Sequence, residues 1–254
     1  MSELPGRMTA LGLRHVAENL DDLVALAQKR RLAARELLEH LVDLEEKDRA
    51  RRSLERRTTR SRIGRFKPIT DYDWNWPTRI DRPRVEAAVQ LDFFADHRNV
   101  VLVAPQGLGK TMIAQNIANQ AVVAGHSLLF LTAAQMLLDL GAQESARSLD
   151  RRLRFYAGIS LLILDEVGYL SFDARNADLL FQVVSRRYER KSLVLTTNLS
   201  FQDWPSIFPN ATCATALIDR VIHHADVLAI EGESYRLREA EKRAGKAADA
   251  PKRP

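Results

Sequence analysis

Residues Val100 to Thr111 read Val-Val-Leu-Val-Ala-Pro-Gln-Gly-Leu-Gly-Lys-Thr, and no other stretch constrains the chain as tightly. The apolar run predicts a short buried parallel strand. A glycine-containing loop follows, and Lys110-Thr111 opens a segment of helical period. Strand, glycine loop and helix in that order are what a phosphate-binding loop requires. Backbone N–H groups of such a loop and of the helix start face an anion without help from side chains. Gly107, Leu108, Gly109, Lys110, Thr111 and Met112 are therefore the candidate nucleotide-binding residues. Lys110 would reach the β- and γ-phosphates, and the Thr111 hydroxyl would ligate Mg²⁺. Ala104 stands where the pattern has its first glycine; it is small enough to allow the turn. An ordinary strand-to-helix turn is the competing reading, and the strand before and helix after argue against it.

The 254 residues, 46% hydrophobic and 28% charged, suit one α/β domain with a smaller appendage. No apolar run approaches a membrane span, and the N-terminus lacks a basic-then-apolar export pattern. The single Cys213 excludes an intrachain disulfide and a cysteine-based metal site, and reads as a packing residue. A cytoplasmic protein is expected. The net charge of +5 permits a polyanionic partner without requiring one.

From about Thr9 to Arg65 the period is helical, with apolar stripes at Leu20, Leu23, Val24, Ala27 and at Leu37, Leu38, Leu41, Val42, Leu44. Two or three helices are predicted. The charge then switches from Asp43, Glu45, Glu46 and Asp48 to a dense arginine run that includes Arg56, Arg57 and Arg60. Two readings stand level here: a solvated helix face, or a surface for nucleic-acid phosphates. Pro68 ends the run. The segment 69–77 is an aromatic, acidic linker whose rings can stack on a base or pin the linker to a domain. Asp81 is placed to cap a helix that starts near Pro83.

Five strands are expected, at 100–103, 127–131, 161–166, 192–198 and 227–230. Between the second and third, a helix at about 144–157 carries Arg147, Arg151, Arg152 and Arg154. The third strand ends in Asp165-Glu166, at the sheet edge where open α/β folds bind ligands. Asp165 fits the Mg²⁺-holding acid, and Glu166 a base that orients or deprotonates an attacking water. The fourth strand ends in Thr196-Thr197-Asn198, which can bring Asn198 near the γ-phosphate. Arg220 follows Asp219 on a late helix. It can pair with Asp219 at the surface, or reach a neighbouring subunit's nucleotide as an arginine finger. His223-His224 is not spaced for metal binding on a helix and reads as structural.

These elements in this order resemble the AAA+ ATPases. The runs Leu164-Asp165-Glu166-Val167-Gly168-Tyr169-Leu170, Arg186-Arg187-Tyr188-Glu189-Arg190, Trp204-Pro205-Ser206-Ile207-Phe208, Leu217 to His224 and Gly232 to Arg238 narrow the resemblance. They are similar to those of the IstB-like transposition helper ATPases, a family related to the helicase loader DnaC and the initiator DnaA. The resemblance implies an α/β AAA+ P-loop NTPase fold. Its five-stranded parallel sheet is flanked by helices, beside a small all-helical N-terminal domain and without a full C-terminal lid. The implied division is a helical domain at 1–67, a linker and leading helix at 68–98, the ATPase domain at 99–238 and a disordered basic tail at 239–254. It further implies ATP and Mg²⁺ as cofactors, and a homo-oligomer on double-stranded DNA with ATP at subunit interfaces, Arg147, Arg151, Arg152 and Arg154 of the helix at 144–157 being candidates for lining a DNA groove or pore. An IstA-like transposase is the implied partner, and no membrane is involved. Lys110, Asp165, Glu166 and Asn198 would act in cis with Thr111, and Arg220 in trans. A DnaC-like replicative helicase loader is the alternative within the class.

Overall fold

A computed structural model of the chain describes residues 3–169, 171–209 and 211–238. The tail expected to be disordered at 239–254 lies outside the described residues, as do Leu170 of the acid-strand motif and Asn210, where the sequence predicts that the late helix carrying Arg220 begins. The chain divides into two compact units, Met1–Arg56 and Arg57–Pro254.

The first unit holds α1 (Glu3–Ala10), α2 (Arg14–Glu18), α3 (Leu20–Arg30) and most of α4 (Ala34–Ser61), whose residues from Arg57 count with the second. Four helices stand where the periodicity predicts two or three. α1 and α2 are too short to repeat a helical period, and α1 contains Pro5 and Gly6. Of the expected stripes, Leu23 is buried while Val24, Leu38 and Val42 are exposed. Polar groups finish this small core. Glu45 is buried, and its carboxylate accepts the backbone N–H groups of His15 and Val16 at 3.1 and 3.3 Å, capping the open start of α2. Its other oxygen takes Arg49 Nε at 3.1 Å and Arg52 at 3.3 Å. Burial pushes the Glu45 carboxyl up, but Arg49 and the two amides outweigh it and hold the group below its usual range. Buried Asp48 pairs with Arg51 and Arg52, each at 2.6 Å. The charge switch in the sequence is thus partly an internal ion-pair network.

The second unit is a sheet with helices on both faces. A single turn at Ile69–Asp71 leads to β1 (Arg79–Ile80) and α5 (Arg82–Val89). Asp81 caps α5 by accepting the Arg84 N–H at 3.1 Å. Next come β2 (Asn99–Val103), α6 (Lys110–Val123), β3 (Leu128–Thr132), α7 (Ala133–Gly141) and α8 (Ala146–Gly158). Thr132 and Gln135 form a capping box on α7, and Ser145 and Ser148 form one on α8. Then follow β4 (Leu161–Val167), α9 (Ala174–Arg187), β5 (Ser192–Thr197), α10 (Ala211–Ile222) and β6 (Ala225–Glu231).

The strand order is β1-β6-β2-β5-β4-β3. The sheet therefore has six strands, not the five expected: β1 adds an antiparallel edge on β6, pairing Ile80 with Ile230. Two residues carry no alternating pattern, so this edge leaves no sequence signal. The other strands run parallel. Side-chain alternation splits the core. Val100 and Leu102 of β2 pack with Ile113, Ile117 and Ala121 of α6, whereas Val101 faces the layer built by α7 to α10.

One buried cation ties that second layer together. Arg187, at the end of α9, donates to the carbonyls of Tyr156, Ala157, Ile159, Ser160 and Ser192. Four of these lie at or just beyond the C-terminus of α8, the negative end of its dipole. Burial pushes the guanidinium down to about 9, so it keeps its charge at neutral pH.

Candidate nucleotide-binding site

Register aligns the parallel strands so that their C-terminal ends meet. Val103 of β2 pairs with Thr197 of β5, and Thr132 of β3 with Asp165 of β4. A cleft of about 710 Å³ opens at this edge, within the size range of small-molecule sites. Gln106, Gly107, Leu108, Gly109, Lys110, Thr111 and Met112 form one wall. Glu166, Thr196 and Asn198 form another.

The loop from β2 to α6 is shaped by two left-handed residues, Gly107 at φ +82° and Gly109 at φ +84°. Ala104 is not among the residues with positive φ, so alanine serves there without strain. Its N–H donates to Thr197 O at 3.1 Å and its methyl is buried, continuing the ladder of β2. Lys110 Nζ donates to Ala104 O at 2.6 Å and Pro105 O at 2.8 Å. Burial lowers the Lys110 pKa and the nearby Arg236 lowers it further, against the pull of Asp165 and Glu166. The group is half-buried at the start of α6, beside the N–H groups of the first helical turn.

Asp165 is buried at the end of β4, and the Thr111 hydroxyl donates to its carboxylate at 3.0 and 3.2 Å. A hydroxyl and a carboxylate in contact are hard oxygen donors of the kind Mg²⁺ takes. The pairing of β4 with β5 shifts register between Leu164 and Val167. This bulge sets Glu166 at φ +60° and leaves its side chain exposed at the cleft. Thr196 holds the bulge together. Its buried hydroxyl accepts the Glu166 N–H at 3.0 Å and donates to Asp165 Oδ1.

The structure thus brings Lys110, Thr111, Glu166 and Asn198 to one cleft, with Asp165 bonded to Thr111. Arg220 is not among the residues that line it. Nor is it paired with Asp219 through any described ion pair: it lies half-buried on α10, donating to Ser185 Oγ of α9 at 2.7 Å and lying 4.3 Å over the Phe181 ring. The arginines proposed for DNA fall into two groups. Arg57 donates to Val122 O at 3.0 Å, Arg152 bonds Asp139 at 2.5 Å, and Arg154 pairs with Asp150 at 2.7 Å. Arg56, Arg60, Arg147 and Arg151 are exposed.

Sequence reasoning missed Thr196 and Tyr235 as cleft residues, and left open both the linker aromatics and a nucleotide-sensing role for Arg236 or Arg238. The rings pin the linker. Tyr72 donates its hydroxyl to Leu108 O at 2.9 Å, and Trp76 Nε1 donates to Glu233 O at 2.8 Å. Arg238 lies 4.3 Å over the Trp76 ring, and Arg236 lines the cleft.

Comparison with known proteins decides the family. Residues 6–243 match the model of the IstB-like ATP binding protein family. The chain belongs to this family. An insertion sequence IS21 ATP-binding protein of Pseudomonas aeruginosa is 36% identical over 242 residues, covering 95% of this chain and 91% of the relative. One of insertion sequence IS5376 from Geobacillus stearothermophilus is 33% identical, covering 90% and 91%. Solved structures share the fold at lower identity. DnaI superposes with a TM-score of 0.52 at 20% identity, covering 68% of this chain and 91% of DnaI. Domain III of the Thermotoga maritima initiator DnaA gives 0.53 at 17% identity, covering 75% and 78%. The chain thus groups with the insertion-sequence ATP-binding proteins, and its α/β fold is shared by DnaI and DnaA. Among the described residues, no helix is long and apolar enough to cross a membrane.

Proposed function

We propose that this IstB-like protein hydrolyses ATP and assembles on double-stranded target DNA as a homo-oligomer that recruits or stimulates an IstA-like transposase. The relatives named for insertion sequences support the transposition context. One observation carries the oligomeric part. Lys110, Thr111, Glu166 and Asn198 line the cleft, with Asp165 bonded to Thr111 behind its wall, while Arg220 packs on α9 outside its walls. A transition state that gathers negative charge on the γ-phosphoryl gains from a further cation, and a neighbouring copy can supply it.

In this reading the loop amides and Lys110 bind the phosphates, and Thr111 with Asp165 would hold Mg²⁺. The ion would neutralise charge on the β- and γ-oxygens. Glu166 orients or deprotonates the water, and Asn198 fixes it from the end of β5. Arg220 completes the site from the adjacent subunit. Exposed Leu138 and Tyr169 flank Glu166 in a second recess, of about 380 Å³, which offers an apolar face for that subunit. On α8, exposed Arg147, Arg151 and Arg154 lie three to four residues apart, on one face, and serve as phosphate contacts.

The test is the mass of the full chain in solution with and without ATP and duplex DNA, beside ATP turnover under the same conditions. Assembly that needs both ligands, with turnover rising on assembly, is expected. A monomer under every condition would sink the interface model.

A further inference from the structure

The paired histidines near the end of α10 acquire a third neighbour in the fold. Glu189, His223 and His224 each bring one ligand atom within 4.8 Å of the others, and all three are exposed. Among the described residues this is the one group of three His, Cys, Asp or Glu side chains so arranged. Adjacent positions on one helix cannot chelate well, which is why His223-His224 reads as structural in sequence. The carboxylate comes instead from the turn after α9, 34 residues earlier than His223.

Two details make the cluster more than surface crowding. His224 Nε2 lies 3.3 Å from Glu189 Oε1. His223 Nδ1 lies 2.6 Å from the Tyr188 hydroxyl, and this leaves Nε2 for another partner. A metal on Nε2 selects the tautomer in which Nδ1–H donates to the phenol oxygen, the usual way an outer partner orients a ligating imidazole. The backbone beneath is fixed. His224 O accepts the Asn99 N–H at 2.7 Å, and Arg190 N–H donates to Arg187 O at 2.9 Å.

We propose that Glu189, His223 and His224 bind a borderline divalent cation such as Zn²⁺. Two imidazoles and one carboxylate are a Zn²⁺ donor set, with water in the fourth position, and a poor one for Mg²⁺. Bonds of about 2.1 Å in a tetrahedron place donors about 3.4 Å apart. Rotation of the exposed side chains closes the difference. The ion staples the turn after α9 to the end of α10. Arg220 sits one turn before His223 and already bonds Ser185 of α9, so the staple stiffens the two helices that hold this arginine.

The experiment uses the full chain, stripped of metal and free of nucleotide, titrated with Zn²⁺ against a chromophoric chelator. One equivalent is expected to bind. Glu189→Gln and His224→Ala should each weaken it tenfold or more while keeping the wild-type circular dichroism. Zn²⁺ at a hundredfold excess over Kd should raise the wild-type Tm by about 5 °C or more, and Mg²⁺ should not. Uptake no greater than that of the His223→Ala/His224→Ala double variant overturns the proposal, as does equal stabilisation by Mg²⁺.

Discussion

Thr196→Val tests whether the bulge in β4 aims the acids of the site. Valine keeps the shape of threonine and removes only the hydroxyl, which is buried at 1% exposure. Two bonds disappear with it: the one that accepts the Glu166 N–H at 3.0 Å and the one that donates to Asp165. A hydrogen bond to a charged group is worth about 1.5–3 kcal/mol, and an amide left unsatisfied costs about 1–3 kcal/mol. Losing the buried hydroxyl offsets part of this, so a net destabilisation of about 2–4 kcal/mol is expected. In a domain of this size that lowers Tm by roughly 5–12 °C. The functional effect is separate. Thr196 bonds neither Lys110 nor the loop amides in any described hydrogen bond and reaches Thr111 only through Asp165, so ATP affinity should change less than turnover. Glu166 loses the anchor that fixes its φ of +60°, and a shift of about 1 Å in such a group costs about 10²-fold in turnover. Thr196→Ser should restore both properties. The assays are thermal unfolding, binding of a fluorescent ATP analogue and phosphate release on DNA. Turnover within twofold of wild type in Thr196→Val would refute the claim that this hydroxyl positions Glu166.

Three further outcomes follow from the same contacts. Arg220→Ala should keep ATP binding and lose about 10³-fold or more of turnover; mixing it with Glu166→Gln subunits should recover activity, because each supplies what the other lacks. No recovery on mixing would place Arg220 outside catalysis in trans. Arg187→Met removes the cation but leaves five carbonyls facing an apolar side chain, so urea unfolding should show a loss of about 3–5 kcal/mol; a loss under 1 kcal/mol would mean that water replaces the guanidinium. Ala104→Gly should leave ATP affinity within twofold and cost about 0.5–1 kcal/mol of stability, since Ala104 needs no left-handed φ; a large gain in affinity would show that the methyl obstructs the loop.

What could be read from the sequence was what is local. The buried strands β2 and β4 carry apolar runs; the glycine loop follows the first, and Asp165-Glu166 follow the run Leu161–Leu164 within the second. What could not be read depends on register or on distant segments. Thr196 reads as half of a Thr-Thr-Asn strand end; its role arises because a one-residue bulge sets Asp165 and Glu166 against it across the sheet. Arg187 sits in a run of charges that predicts exposure, yet five carbonyls from two other elements draw it inside. Glu45 and Asp48 look like a solvated acidic face until α2 presents its open N–H groups to Glu45. The arginine run was ambiguous for the same reason. Its members differ in whether a neighbour within the same unit happens to reach them.

The left-handed glycines of the phosphate loop make the same point about distance. A methyl on Gly107 would fall 2.2 Å from Ser234 Oγ, and one on Gly109 would fall 2.5 Å from a Tyr72 ring carbon. Both obstructions come from outside the loop: the linker before β1 and the segment after β6. These two segments also hold each other, through Trp76 on Glu233 O and Arg238 over Trp76. Tyr72 then grips Leu108 O, and Tyr235 N–H grips Gly107 O at 3.1 Å. The loop is therefore clamped by two segments more than 150 residues apart, one on each side of the parallel strands in sequence. Phosphate binding alone explains why an anion-binding loop is rich in glycine. It does not explain why Arg236, carried on the second clamp, stands in the cleft close enough to lower the Lys110 pKa. The clamp accounts for it. The edge pairing of β1 with β6 brings the linker and the C-terminal segment together, and so sets Arg236 in the cleft as a second cation beside Lys110 and the neutral N–H groups at the start of α6.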